Sequence, residues 1–356
     1  MNSDLAKLPP DSISHSPDLM RQLVMAHRRL AELKGVAPSL PNQDILLNTL
    51  ALQEAKDSSA IENIITTHDE LFKQQLDIPD FNNAAAKEVG RYSMALRLGY
   101  DRLVSNKTFS LQDLINIQAE LVVEEPGIRT KPGTVIGNRT TGETIYISPQ
   151  GHAEIIDYLE NLIDFFNQPI DSGEDPLIRM ALIHYQFEKI HPFYDGNGRT
   201  GRILNLLYLV QHGLLDLPVL YLSRYIIQNK RSYYFHFQQD QSADSWEAWL
   251  MYMLHGVELT STETIETINK LKDLMADYQE RIKAKLPKIY SLDLLNTLFK
   301  HPYTKIEFVV RDVGVSRPTA ASYLEALTDA GFLEKQKVWR SSYYINIPLF
   351  ELLQGH

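Results

Sequence analysis

Residues 191–202 read His-Pro-Phe-Tyr-Asp-Gly-Asn-Gly-Arg-Thr-Gly-Arg, set between two apolar runs of helical period. Upstream, Pro176 to Ile190 carries apolar side chains at helical intervals, with a proline near the start. Downstream, Arg202 to Val210 reads as a second, largely apolar helix. The chain must therefore hold a histidine, an aspartate, two glycines around an amide and two arginines in a tight loop entering a helix N-terminus. Such a mixture has little use in a core. It suits a polyphosphate.

Each piece has a chemistry that fits that use. Glycines at 196 and 198 let backbone N–H groups approach a ligand, and the unpaired amides plus the helix dipole favour an anion. Arg199 and Arg202 stand three apart, on one face of the first turn, where planar forks can grip phosphate oxygens. His191, with an unperturbed pKa near ~6.5, suits general base work. Asp195 is a hard oxygen ligand of the kind Mg²⁺ takes when phosphates supply the rest. Taken singly, His-Pro is a helix stop, Gly-Asn-Gly a turn, and two early arginines a solvated face. Their order and spacing argue jointly for a site.

The segment resembles the signature of the Fic family, His-x-Phe-x-(Asp or Glu)-Gly-Asn-Gly-Arg-x-x-Arg, at every specified position. The resemblance implies a mainly α fold and transfer of AMP from ATP to a Ser, Thr or Tyr hydroxyl of a target protein, or of the chain itself. It makes His191 the base and Asp195 the Mg²⁺ ligand. Gly196, Asn197 and Gly198 become the anion-binding turn, and Arg199 and Arg202 the phosphate clamps. ATP–Mg²⁺ would lie along the whole turn through Thr200 and Gly201, with Phe193 a buried anchor for the loop.

A second segment, Ser58-Ser59-Ala60-Ile61-Glu62-Asn63, lies in a helical run read from near Asn42 toward Leu71. Ser58 and Glu62 share a helix face. Alone the spacing signals nothing. Beside the arginine pair it resembles the Fic inhibitory motif, (Ser or Thr)-x-x-x-Glu-(Gly or Asn). That implies a bidentate pairing of Glu62 with Arg202 where the γ-phosphate would go, and a chain that restrains itself.

Residues 133–149 carry two β-branched runs around a Gly/Asn/Thr turn, which predicts a β-hairpin. In Fic proteins such a flap pairs with the target backbone as an added strand; an ordinary surface hairpin is the other reading. The stretch 223–234 resembles the family's nucleotide-pocket lining, with Asn229 a candidate ATP contact. A helix cap with core tyrosines reads equally well there.

With 356 residues the chain has room for two or three cores. It has no cysteine, no continuous apolar leader and no apolar stretch of membrane-spanning length, which fits a cytoplasmic location. His184 and His191 lack a metal-binding spacing. A formal net charge of −10 argues against general nucleic-acid binding.

The organisation read from pattern breaks is 1–85, a polar lead-in and helices with the inhibitory motif, punctuated at Pro79-Asp80; 86–256, the catalytic core; 257–290, a linking helix broken by Pro287; and 291–356. The last part predicts helices over 292–300, 304–312 and 317–330, then strands over 332–335 and 342–346. That resembles a winged helix–turn–helix domain. Its basic residues Arg317, Lys335, Lys337 and Arg340 are nearly cancelled by Glu307, Asp312, Glu325 and Asp329, which favours a protein contact over DNA. Three alternatives to AMP transfer stand beside it: AMP removal with Glu62 positioning a water, transfer from another phosphate-containing donor, and a nucleotide-sensing transcriptional regulator. A homodimer is compatible with the sequence and leaves no mark in it.

Overall fold

The computed structural model describes residues 5–354 apart from 12, 14, 77–82, 134, 138–143, 172, 240, 339 and 340. Helix α1 (Pro17–Val36) starts where Ser16 accepts the Leu19 N–H and a proline takes the first position. After a 3₁₀ turn (Ala37–Ser39) come α2 (Asp44–Ile61), α3 (His68–Gln75), α4 (Ala84–Asn106) and α5 (Leu111–Leu121). The hairpin β1 (Val135–Gly137) and β2 (Thr144–Ile147) follows, then α6 (His152–Asn167), α7 (Pro176–Ile190) and α8 (Asn197–Gln211). Two short helices, α9 (Leu222–Gln228) and α10 (Lys230–His236), lead into α11 (Ala243–Lys285). The C-terminal unit runs α12 (Leu292–Lys300), β3 (Tyr303–Thr304), α13 (Ile306–Val313), α14 (Arg317–Asp329), β4 (Glu334–Val338), β5 (Ser341–Ile345) and α15 (Ile347–Gln354). The protein is mainly α.

Helix α7 is buried on every side from Leu177 to Ile190, so it is the centre of the core rather than an amphipathic surface helix. Helices α6, α8 and α11 pack around it, α1 lies along α11, and α2 rests on α4 and α9. From α11, Trp249 donates its indole N–H to the Ala181 carbonyl at 2.9 Å, and its ring stacks parallel to His184. No helix among the described residues is long and apolar enough to cross a membrane.

Several sequence expectations shift. The run from Asn42 toward Leu71 is two helices: α2 stops at Ile61, Asn63 takes a left-handed φ of 66°, and a Thr67–Glu70 capping box starts α3. The polar lead-in is packed on the core, since Leu5 and Leu8 are buried and Leu8 bonds Asn161 through its N–H at 2.8 Å. The linking helix is the later part of α11, which begins at Ala243, so the division at 256/257 falls inside a helix. Gly256, at that division, is a point of close packing inside the helix. A Cβ there would lie 2.7 Å from Tyr225 Cδ1.

In the C-terminal unit the helix expected from Thr304 begins at Ile306, because Tyr303 and Thr304 pair with β5 as strand β3. The expected strands become β4 and β5, in a sheet of order β3-β5-β4. Helix α15 was not anticipated; Pro348 reads as a breaker but sits harmlessly in a first turn. The hairpin forms with Val135 opposite Ile147 and Ile136 opposite Tyr146. Its turn at 138–143, like Pro79-Asp80 and Arg340, lies outside the described residues.

Candidate active site

The site begins where α7 ends. His191 turns to φ 47°, its N–H still bonded to the Phe187 carbonyl at 3.0 Å, and Pro192 cannot continue the helix. Phe193 is buried, and Asn197 closes the loop around it. The Phe193 N–H donates to Asn197 Oδ1 and Asn197 Nδ2 donates to the Phe193 carbonyl, both at 2.9 Å. Gly196 then adopts φ 78° as the N-cap of α8, which leaves the first amides of α8 without intrahelical partners. The turn at 196–198 thus opens α8, with the Asn197 side chain spent on shaping it. Thr200 likewise turns its hydroxyl back to the Gly196 carbonyl at 2.8 Å.

Protein packed around His191 pushes its imidazole down to about 4, and the Arg129 charge works the same way while Glu62 and Asp195 oppose it. The ring is therefore neutral near pH 7 and free to accept a proton. Asp195 is 61 % exposed at the loop, with one carboxylate oxygen 3.3 Å from Arg199 Nη2. Among the described residues no cluster of three or more acidic, histidine or cysteine side chains could hold a metal alone. The donor set fits an ion that takes one carboxylate from the chain and its other ligands from phosphate oxygens and water.

Both arginines are almost fully buried, and one carboxylate lies between them. Glu62, at the C-cap of α2, places Oε1 2.8 Å from Arg202 Nη2 and Oε2 3.1 Å from Arg199 Nε. The expected bidentate grip on Arg202 is instead a bridge between two guanidinium groups. Ser58 completes the hold on Arg202, its hydroxyl accepting from Nε at 2.7 Å and its carbonyl from Nη2 at 3.0 Å. Burial works against the charge of Arg202, but Glu62, Tyr233 and Glu188 raise its pKa above the ordinary arginine value. Gly198 has no room to spare, because a Cβ there would lie 2.5 Å from Glu62 Oε1. Gly201 similarly abuts Glu188, 2.7 Å from the same construction.

Asn63 accepts from Lys230 Nζ at 3.4 Å. Asn229, between α9 and α10, donates its amide to the Tyr225 carbonyl at 3.0 Å, a bond within its own turn. Four contributors escaped sequence reasoning. Glu88 on α4 bonds Arg199 Nη1 at 2.7 Å. Gln118 on α5 donates to the Asp195 carbonyl at 3.1 Å and accepts the Gly127 N–H at 2.9 Å. Arg129 donates from Nε to the His191 carbonyl at 2.8 Å. Glu54, a turn before Ser58, is buried against Tyr92 and Ser223, and burial pushes its carboxyl up to about 7.

The chain matches three family models: "Fic/DOC family N-terminal" over 20–101, "Fic/DOC family" over 108–209, and "Protein adenylyltransferase SoFic-like, C-terminal domain" over 274–349. It is 30 % identical over 151 residues to "Protein adenylyltransferase fic-1" of Caenorhabditis elegans, covering 40 % of this chain and 28 % of that one. It is 32 % identical over 100 residues to "Probable protein adenylyltransferase aq_aa38" of Aquifex aeolicus, covering 28 % of each. The chain thus spans under a third of the length of these curated relatives. Among solved structures, a Fic family protein from Desulfovibrio desulfuricans G20 superposes with a TM-score of 0.58 at 20 % identity, over 95 % of this chain and 98 % of that one. Fic-1 of C. elegans (aa 134–508) gives 0.53 at 19 % identity, over 71 % and 74 %. The loop that closes on Phe193, the helix it starts and the three consecutive matches place this chain in the Fic family.

Proposed function

We propose that this protein transfers AMP from ATP to a hydroxyl of a protein, itself included, and that Glu62 restrains it. The observation that carries the reading is the pair of buried guanidinium groups at the α8 N-terminus with one carboxylate wedged between them. Two buried cations that share one small anion are matched to a larger polyanion, and the free amides of the turn point the same way. The names of the relatives, protein adenylyltransferases, support the same class of reaction.

On this reading the triphosphate lies along residues 196–202, its terminal phosphate displacing Glu62 from Arg202. The target oxygen attacks the α-phosphorus as the bond from that phosphorus to the bridging oxygen breaks. Pyrophosphate leaves, and the hydroxyl proton passes to His191. Arg199 and Arg202 hold the departing charge, and Asn197 keeps the loop in shape. Mg²⁺ bound through Asp195 would neutralise charge on the phosphates. The hairpin offers strand β1 or β2 to a target backbone, which fits acceptance of varied side chains.

The C-terminal unit, with helices and sheet in the order of a winged helix, fits a protein contact better than DNA. Arg317 is paired with Glu307 and Lys335 with Glu325, so two of its cations are already neutralised.

Intact-protein mass spectrometry tests the reading. Wild type, Glu62→Gly and Glu62→Gly/His191→Ala are each incubated with ATP and Mg²⁺. An added AMP mass, greater in the single variant and absent in the double, is the expected result. No added mass in any form would overturn AMP transfer in favour of another donor, AMP removal or nucleotide sensing.

A further inference from the structure

Arg129 lies between the hairpin and the catalytic loop, fully buried, and its bonds run to both. Nε donates to the His191 carbonyl at 2.8 Å, and Nη2 to the Ile190 carbonyl at 3.3 Å and to the Pro149 carbonyl. Its backbone N–H donates to the Pro192 carbonyl at 2.9 Å, beside the bridge between Ile128 and Phe193. Two of the three carbonyls that accept from the side chain are orphans at the end of α7, where a cation also complements the dipole. The third, Pro149, stands just beyond strand β2.

His191 holds a left-handed backbone that is strained for a non-glycine residue and persists only where surroundings fix it. We propose that Arg129 is the positioning residue of this site, fixing the His191 peptide to the base of the hairpin so that base and docked hydroxyl keep one geometry. This rests on His191 being the base. The hairpin can then deliver a target only to where Arg129 has set the imidazole.

The test uses the full chain in the Glu62→Gly background, following self-modification by intact mass. Arg129→Ala is expected to lower the rate about 100-fold, the scale of a 1 Å misplacement. The thermal shift given by a non-hydrolysable ATP analogue should stay unchanged, and added ethylguanidinium should restore at least about tenfold of the rate. The acidic limb of the pH–rate profile should move upward, since a cation that depresses His191 has gone. Arg129→Lys keeps the charge but cannot span three carbonyls. It is expected to lose about tenfold or more with the analogue still bound, and it decides the matter if the alanine form does not fold. Full rate in a folded variant, or loss of analogue binding together with rate and no rescue, overturns the proposal. Transfer surviving His191→Ala in the same assay would instead overturn the base.

A separate set of contacts carries a second inference. Both helices that flank Glu62 are held by residues after 299. On α2, Asp44 meets Lys300 at 3.5 Å and Gln53 donates to the Leu353 carbonyl. On the α3 side, Asp69 accepts from Tyr303 at 2.6 Å, the Leu76 carbonyl accepts from Lys305 at 2.8 Å, and Phe72 packs on Tyr303 and Phe350 with centroids 5.6 and 6.0 Å away. We infer that the C-terminal unit clamps the α2–α3 joint and thereby holds Glu62 on the arginines. This too rests on Glu62 being inhibitory. Tyr303→Ala removes ring and hydroxyl together, and should raise self-modification about fivefold or more where Glu62 is present, and not at all on Glu62→Gly. Equal increases in both backgrounds, or none in either, overturn the clamp, while an inactive Glu62→Gly overturns the inhibitory reading beneath it.

Discussion

Glu62 and Arg202 meet with no space for a third group: Oε1 lies 2.8 Å from Nη2, and a Cβ on the facing Gly198 would lie 2.5 Å from the same oxygen. Whatever reaches Arg202 from the α8 N-terminus must first move that carboxylate. The pair ties α2 to α8, and on the proposed function it also competes with phosphate.

Glu62→Gly should therefore cost stability as it gains nucleotide. Removing it leaves two buried guanidinium groups short of a partner, and with Glu62 one-fifth exposed the loss should be about 2 kcal/mol, a fall in Tm of several degrees. ATP with Mg²⁺ should raise Tm more in the variant than in wild type, as read by thermal shift. Equal shifts in the two proteins would mean that Glu62 and nucleotide do not compete.

His191→Ala should separate chemistry from binding. In the Glu62→Gly background AMP transfer should fall by about 10²–10⁴, the range for losing a general base, with the ATP-induced thermal shift intact. A variant that no longer binds ATP would show that His191 holds the nucleotide instead.

Gly198→Ala gives a double-mutant cycle. Its Cβ presses on Glu62 Oε1 and, at 2.9 Å, on Arg202 Nη1. The alanine should destabilise wild type by about 1–3 kcal/mol and cost clearly less once Glu62 is glycine. Chemical denaturation of the four proteins reads the coupling; strict additivity would place the crowding elsewhere.

Glu54 makes stability depend on pH. Its carboxyl rises from 4.5 to about 7 on folding, so the folded state binds the extra proton and stability falls as pH climbs from about 4.5 to about 7. A shift of this size is worth on the order of 3 kcal/mol. Glu54→Gln imitates the protonated form, its amide able to donate to Ser223 Oγ while its carbonyl accepts the Ser223 N–H. Tm measured from pH 5 to pH 8 should decline less in the variant. An unchanged slope would assign the dependence to other groups, among them Glu188, which burial raises likewise.

What could be read from the sequence was whatever the chain keeps together. The loop from His191 to Arg202 keeps its residues within twelve positions, so its glycines and its arginines were visible as a unit, while the closing of Asn197 on Phe193 was not. Ser58 and Glu62 were visible through one helical turn and a known motif. Glu88, Gln118 and Arg129 were not, because each reaches the loop across many tens of residues and is unremarkable where it stands in the chain. Strand β3 is two residues long and has no period to detect.

Helix α11 joins the two halves in a way that fixes an angle. Near its start Trp249 is locked to Ala181 in the core, and near its end Tyr278 bonds the Phe332 carbonyl at 3.0 Å and Asn346 at 2.8 Å. Between them runs unbroken helix, so the 43 residues form a rod of roughly 64 Å. One inserted residue would turn everything beyond it by about 100° and carry Tyr303 and Lys305 away from Asp69 and Leu76. Seven inserted residues, two full turns, would restore that angle but move everything beyond them about 10 Å along the axis, so those contacts fix the length of the rod as well as its phase. The helix is in that sense a phase setting, and its residue count is as much a part of the site as the arginines it lies far from.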